Sequence, residues 1–354
     1  MKIAYTYHGI RLIGGVLRYY YEMINRIKKE HETEVISLYS NTSYLKDLAP
    51  NSKPFLYGLS FKGKWHLETF FQNQNTYKKI RQTNFDIVHN TWYDAHLFKY
   101  TEHKPVVITI HDMIPELFST SKQKIIEKKE TIRQAHHIIC VSENTKNDLL
   151  KIYPWVDVHK ISVIYHGSEI RRYPYLPNRW GRYILYVGER TAGYKNFFSF
   201  VQAVQHLKEN ICVICTGKPF QKEELQFINR LKMENQIMNV GFVDEPTLNS
   251  LYHHALCFVY PSKYEGFGIP ILEAFHHHCP VCVSNTSCFP EIAGNAAAYF
   301  DPNDVQSMAT TIEAVMNDEY LRADLIRKGK ERLTHFSWDK ASQQTINVYQ
   351  SLCE

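Results

Sequence analysis

The run Leu-Cys-Phe-Val-Tyr-Pro-Ser-Lys-Tyr-Glu-Gly-Phe-Gly-Ile-Pro-Ile-Leu-Glu-Ala-Phe, residues 256–275, decides how the rest of the chain is read. Residues 256–260 are apolar, aromatic and β-branched and stop at Pro261, the pattern of a buried strand. Pro270 suits the first turn of a helix, where a missing N–H costs nothing. Strand, loop and helix therefore follow one another. In an open α/β sheet, ligands collect at the carboxyl ends of strands, and a helix start presents N–H groups to anions. Gly266 and Gly268 flank Phe267 and let the backbone meet a ligand without a Cβ in between. Glu265 in the loop and Glu273, expected in the first helical turn, are acceptors suited to sugar or ribose hydroxyls. A turn followed by a dipole-stabilised glutamate would explain Glu273 and the proline, but not the whole string.

The string Glu265-Gly-Phe-Gly-x-Pro-x-x-Glu273-Ala resembles the paired-glutamate signature of retaining GT-B glycosyltransferases of family 4, the group 1 type. The resemblance implies an α/β chain of two Rossmann-like, doubly wound domains facing a cleft. It implies a first domain of residues 1–170 on the acceptor side, a linker at 171–181 and a nucleotide-sugar domain at 182–336. Residues 337–354 are expected to cross back onto the first domain.

Composition agrees with a globular chain of two domains. The 354 residues are 44% hydrophobic and 22% charged, neither disordered nor membrane-spanning in type. The start Met-Lys-Ile-Ala-Tyr-Thr-Tyr-His lacks the apolar centre of a secretory signal, and no run approaches the ~18 apolar residues of a spanning helix. A cytosolic location is expected, with reduced thiols. Cys140, Cys212, Cys215 and Cys257 lie in apolar strand-like runs and read as small core residues. Cys279 and Cys282 beside His276, His277 and His278 invite a metal reading, but a structural zinc site calls for two well-spaced ligand pairs. The net charge of +5 is uneven: residues 1–175 carry 25 Lys and Arg against 17 Asp and Glu, and residues 176–354 carry 16 against 19. The first half is the one suited to an anionic surface.

Along the chain, residues 2–7 read as a first strand, and Gly14-Gly15 precede a helix expected from about residue 16 to 30. A glycine pair between strand and helix is a phosphate-approach loop. Gly-Gly-Val-Leu-Arg-Tyr resembles the family's N-terminal glycine loop, whose amide at Gly15 would meet the donor diphosphate. A second strand is expected at 34–39, then a poorly periodic region from 41 to about 74. That region mixes Phe55, Leu56, Tyr57, Leu59, Phe61, Trp65, Phe70 and Phe71 with Lys62 and Lys64, which suits a membrane interface and equally a helix covering a core.

Strands recur at 86–90, 106–110, 137–141 and 161–164, with Ser142 as a helix cap, and the alternation implies a parallel sheet. His111-Asp112 follows the strand 106–110 and resembles the family's active-site histidine. Residues 170–181 hold two prolines and no periodicity, after which a strand at 182–187 opens into Gly188-Glu-Arg190-Thr-Ala-Gly-Tyr-Lys195-Asn196. Arg190 and Lys195 are cationic donors matched to a diphosphate, and the stretch resembles the family's glycine, arginine, lysine-asparagine motif. Residues 240–252, with Phe242 and Val243, resemble the segment lining the nucleobase pocket.

The implied reaction moves a glycosyl residue, with GDP-mannose as the working donor, to a glycan or lipid-linked saccharide in surface polysaccharide synthesis, with anomeric retention. Arg190, Lys195 and the Gly15 amide would stabilise the leaving diphosphate without a metal or other cofactor. Glu273 would hold the ribose, and Glu265 with the Phe267 and Gly268 amides the donor sugar, with Gly266 and Ile269 also in the donor-binding loop. His111 would touch the transferring centre. Nucleic acid is not an expected partner; peripheral membrane contact through the basic first domain is. A sugar phosphorylase, a nucleotide-sugar epimerase or a non-catalytic nucleotide-sugar-binding subunit would share the architecture.

Overall fold

The computed structural model describes residues 1–7, 14–40, 43–54, 56, 59, 61–118, 121–168 and 173–354. The glycine-loop residues 8–13, Phe55, Tyr57, residues 169–170 and the first linker residues, 171–172, lie outside them. The chain divides into two compact units, Met1–Gly167 with Ser337–Glu354, and Ser168–Phe336. No helix of the described residues is long and apolar enough to cross a membrane.

Each unit is built on a six-stranded sheet. In the first, β1 (Lys2–Thr6), β2 (Glu32–Ile36), β3 (Ile87–Asn90), β4 (Val106–Ile110), β5 (His137–Cys140) and β6 (Ile161–Val163) lie in the order β2-β1-β3-β4-β5-β6. In the second, β7 (Tyr183–Tyr186), β8 (Cys212–Cys215), β9 (Ile237–Asn239), β10 (Phe258–Tyr260), β11 (Val281–Ser284) and β12 (Ala298–Phe300) lie in the order β12-β11-β10-β7-β8-β9. The pairings between these strands are parallel. Strands covered on both faces read as continuous apolar runs, and all residues of β4, β10 and β11 except polar Thr109 and Ser284 are buried hydrophobics. Read from its other edge, the second sheet has its strands in the dinucleotide-binding order, with the winding reversing between β7 and β10. The first sheet reverses between β1 and β3.

Two expectations shift. The second strand ends at Ile36, not residue 39, because a side chain replaces its ladder partner. The Gln72 amide donates to the Ile36 carbonyl at 2.7 Å and accepts from the Leu38 N–H at 2.8 Å. The poorly periodic region contains two helices, Ser43–Leu48 and Lys64–Gln82. The longer one buries Glu68, Gln72 and Thr76, so its core face carries no apolar period.

The last helix, Trp338–Gln350, is capped by the Ser337 hydroxyl, which accepts from the Lys340 N–H, and packs on the helix Gly15–Ile27. Trp338 stacks on His166 with ring centroids 5.5 Å apart. At its other end the Tyr349 hydroxyl lies 2.6 Å from His89 Nδ1 and 3.2 Å from the Tyr5 hydroxyl. The second His89 nitrogen lies 3.0 Å from the Thr109 hydroxyl. Burial pushes the His89 ring down to about 3, so this network is neutral at ordinary pH.

At Gly167 the returning helix lies close against the first unit's backbone. A Cβ there would lie 2.2 Å from Trp338 N and 2.3 Å from its Cγ, so one of the two segments would have to move. Gly167→Ala should therefore cost about 3 kcal/mol, the range of an overpacked core. Gly193→Ala, where a Cβ meets nothing within 4 Å, is the control. Urea unfolding of both variants reads the difference; equal stability would show that the helix yields freely.

Candidate active site

At the reversal point of the second sheet two loops leave neighbouring strands, residues 187–196 after β7 and 261–268 after β10. The Lys263 N–H donates to the Tyr194 carbonyl at 2.7 Å and ties them together. The first loop ends in a short turn, Gly193–Lys195, and in Asn196, whose left-handed φ of 59° turns the chain into the helix Phe197–Gln205. Asn196 is held there by its side-chain amide, which donates to the Pro302 carbonyl at 2.7 Å. Buried Phe197 fixes the start of the helix.

The neighbouring Lys195 ammonium meets Glu265 Oε1 at 2.7 Å, the two side chains being 16% and 11% exposed. Glu265 is clamped through its backbone: its N–H donates to the Ser287 hydroxyl at 3.1 Å, and that hydroxyl donates to its carbonyl at 2.8 Å. Two residues expected to serve the diphosphate and the sugar separately are thus in contact with each other. A cation and a carboxylate held this way, partly open to solvent, are a charge pair that an anionic ligand can divide.

Beyond Glu265 the chain reaches Gly268, whose φ of 90° is in the left-handed region and which caps the helix Ile269–His276, with Pro270 in its first turn. A Cβ at Gly268 would also sit 3.3 Å from Ile271 Cδ1 and 3.4 Å from the Phe289 ring. Because the helix begins at Ile269, Glu273 is in its second turn and not the first. It accepts from the Tyr252 hydroxyl at 3.2 Å, which ties it to the helix Glu245–His254. The Phe267 side chain is buried edge-on against Phe336, ring centroids 5.9 Å apart, so what the residue can offer a ligand is its backbone.

Arg190 requires a correction. Expected on the diphosphate, its side chain is 2% exposed and turned into the domain. Its Nε donates to Glu224 Oε1 at 2.8 Å, Nη1 to the Thr216 carbonyl at 2.8 Å and Nη2 to the Lys218 carbonyl, and its plane lies over Phe220. Glu224 is itself buried, so removing either partner would leave an uncompensated charge. Arg190 thus holds the turns that follow β7 and β8 in place. Beside it, the Thr191 hydroxyl first, then the Thr191 N–H, Lys218 and the Arg190 N–H, hold the Glu189 carboxyl down at about 2. The next loop, after β9, is joined on by Gly217 N–H, which donates to the Gly241 carbonyl at 2.9 Å. There Phe242 is 79% exposed, an aromatic face open to stacking, with Val243 half-buried beside it.

In the first unit His111 follows β4 directly. Its ring packs edge-on against Tyr19 and Tyr20 at 5.1 and 5.7 Å, and its Nε2 is buried with no partner among the described residues. Burial first, then the charge of Lys128, pushes it down to about 3, so the imidazole is neutral. Lys128 and Glu116 were not singled out in the sequence. The lysine donates to the Asp112 carbonyl at 2.6 Å and to Glu116 at 3.0 Å, and Tyr153 donates to the same carboxylate at 3.2 Å. This pair locks the turn after His111, and in Lys-Gln-Lys-Ile-Ile-Glu-Lys-Lys-Glu it looks like any solvated face. Gly14, with a φ of 135°, caps the helix that Gly15 begins. Cys257, Cys279 and Cys282 are buried free thiols, and no group of three or more His, Cys, Asp and Glu among the described residues is arranged to hold a metal ion.

Comparison with known proteins fits this arrangement. Residues 13–172 match the family model described as Glycosyltransferase Family 4, and residues 174–332 the one described as Glycosyl transferases group 1. The chain is 28% identical to O-antigen chain mannosyltransferase B of Escherichia coli, covering 99% of this chain and 100% of that protein. It is 30% identical to O-antigen chain mannosyltransferase RfbU of Salmonella typhimurium over 68% of each. Among solved structures, HepE of Anabaena in complex with UDP and glucose superposes with a TM-score of 0.78 at 16% identity, over 99% of this chain and 100% of that one. With two parallel six-stranded sheets and both halves of the family signature, the chain belongs to the family 4, group 1 glycosyltransferases of GT-B fold.

Proposed function

We propose that this glycosyltransferase moves mannose from GDP-mannose to a glycan or lipid-linked saccharide in surface polysaccharide synthesis, with retention at the anomeric carbon. The observation that carries the donor site is the Lys195–Glu265 pair at the reversal point of the second sheet. The mannosyl donor and the polysaccharide context rest on the two O-antigen mannosyltransferases, which match most of the chain.

A nucleoside diphosphate sugar gains charge on its leaving phosphate as the bond to the anomeric carbon lengthens. Lys195 turns from Glu265 to that phosphate, joined by backbone N–H groups at the start of the helix Ile269–His276. Glu265, released, accepts from a sugar hydroxyl, and Glu273 accepts from the ribose. Phe242 offers its exposed ring to the base. Arg190 keeps these loops in register from below. The acceptor oxygen bonds to the anomeric carbon on the face the diphosphate leaves, and its proton passes to the departing phosphate oxygen. In the first unit, neutral His111 keeps its Nε2 for one hydrogen bond. With Lys195 and helix amides supplying the positive charge, the reaction uses no divalent metal.

In a transfer assay with GDP-mannose, Lys195→Ala should lose roughly a hundredfold in kcat/KM, on the order of 3 kcal/mol, as when an oxyanion donor is removed. Its fold should be intact by circular dichroism. Turnover within a factor of about three of the parent would take Lys195 out of the role. Activity should also persist in EDTA after dialysis. Complete loss, restored by Mg²⁺ or Mn²⁺, would overturn the metal-free scheme.

A further inference from the structure

The segment Tyr173-Pro-Tyr-Leu-Pro177 has the composition of a linker, yet it is fastened to the second unit. Pro174 and Pro177 fix their own φ and hold the preceding Tyr173 and Leu176 extended, so little freedom is left to lose on docking. Its anchors run along the helix Glu245–His254. The Tyr173 hydroxyl donates to Glu245 Oε2 at 3.1 Å, the Leu176 N–H donates to the Ser250 hydroxyl at 2.8 Å, and His254 Nε2 lies 2.8 Å from the Leu176 carbonyl. Between these anchors Tyr175 lays its ring flat on His253, centroids 3.7 Å apart and planes 3° from parallel. Its hydroxyl lies 3.2 Å from Nδ1 of His277, which follows the helix Ile269–His276. Tyr175 thus joins the two helices from outside.

The same two helices carry the contact between Tyr252 and Glu273. His277 is 2% exposed, and its ring lies along that of Tyr252, centroids 6.0 Å apart and planes 14° from parallel. Tyr252 is buried, with Phe258 edge-on against it at 5.4 Å, and its hydroxyl donates to Glu273 Oε2 at 3.2 Å. A donor on one carboxylate oxygen fixes the direction in which the group presents its lone pairs. At this length an O–H···O bond weakens further with a small shift of the ring that carries it. We propose that Tyr175 is a positioning residue for donor binding: through His277 and Tyr252 it holds the Glu273 carboxylate in the orientation that accepts from a ribose. The inference rests on the assignment of Glu273 to the ribose.

Calorimetric titration of the full chain with GDP and with inorganic pyrophosphate, which has no ribose, tests this. Tyr252→Phe and Tyr175→Phe keep the rings and remove only a hydroxyl. Each should weaken GDP roughly fivefold, as for a lost hydrogen bond, and leave pyrophosphate within about twofold of the parent. In the Tyr252→Phe background, Tyr175→Phe should add nothing, because both act through the one contact with Glu273. Equal loss for GDP and pyrophosphate would make Tyr175 a packing residue and overturn the proposal, as would additive losses. Glu273→Gln separates this inference from the reading beneath it. Unchanged GDP binding in that variant takes Glu273 off the ribose, and the inference falls with it. Weaker GDP binding in Glu273→Gln with none lost in Tyr175→Phe leaves the ribose assignment standing and removes only the positioning role.

Discussion

A parallel sheet that reverses its winding leaves one place at its carboxyl edge where neighbouring loops part to opposite faces, and a ligand can enter there. In the second unit that place lies between β7 and β10. The rest of the site depends on this constraint. It brings Lys195, late in one loop, to within 2.7 Å of Glu265 in another, 70 residues away in sequence. Loop positions elsewhere along the same edge are fixed by buried contacts, with Arg190 and Glu224 the most enclosed of them.

The two charge pairs differ in kind. Arg190 and Glu224 are both almost fully buried, and their hydrogen bonds to Thr216 and Lys218 carbonyls leave the guanidinium well matched. Such a pair is costly to break and suits scaffolding. Lys195 and Glu265 are partly open, so either partner can be rehydrated or taken up by a ligand at a smaller cost. That difference separates the residue that supports the site from those that meet substrate, although all four lie at the same edge of the sheet.

Much of the fold was legible because parallel strands covered on both faces are apolar throughout. Residues 106–110 and 281–284 were placed correctly on that ground alone. The failures in the fold share one cause, side chains used against their usual type. Gln72 ends β2 early, and the helix around it hides polar residues and shows aromatic ones, so periodicity gave no signal. That Lys195 and Glu265 lie in loops at the carboxyl edge of the second sheet, and that Gly268 precedes a helix carrying Glu273, was legible from spacing and residue type. The turn containing Glu273 was misplaced by the difference between a helix starting at Pro270's neighbour Ile269 and one starting later. Arg190 was misread because sequence gives a cation's position in a loop but not which way it points. Lys128 and Glu116 were missed because a buried ion pair has the composition of a solvated one.

The central claim is that a nucleoside diphosphate takes Lys195 from Glu265. Calorimetric titration of GDP and UDP into the parent, Lys195→Met, Glu265→Gln and the double variant measures that exchange. Lys195→Met should weaken diphosphate binding, and Glu265→Gln, by removing the competing carboxylate, should strengthen it. The gain from Glu265→Gln should vanish in the Lys195→Met background, a coupling that only a shared lysine produces. Weaker binding in Glu265→Gln, or the same change whether or not Lys195 is present, would contradict the account.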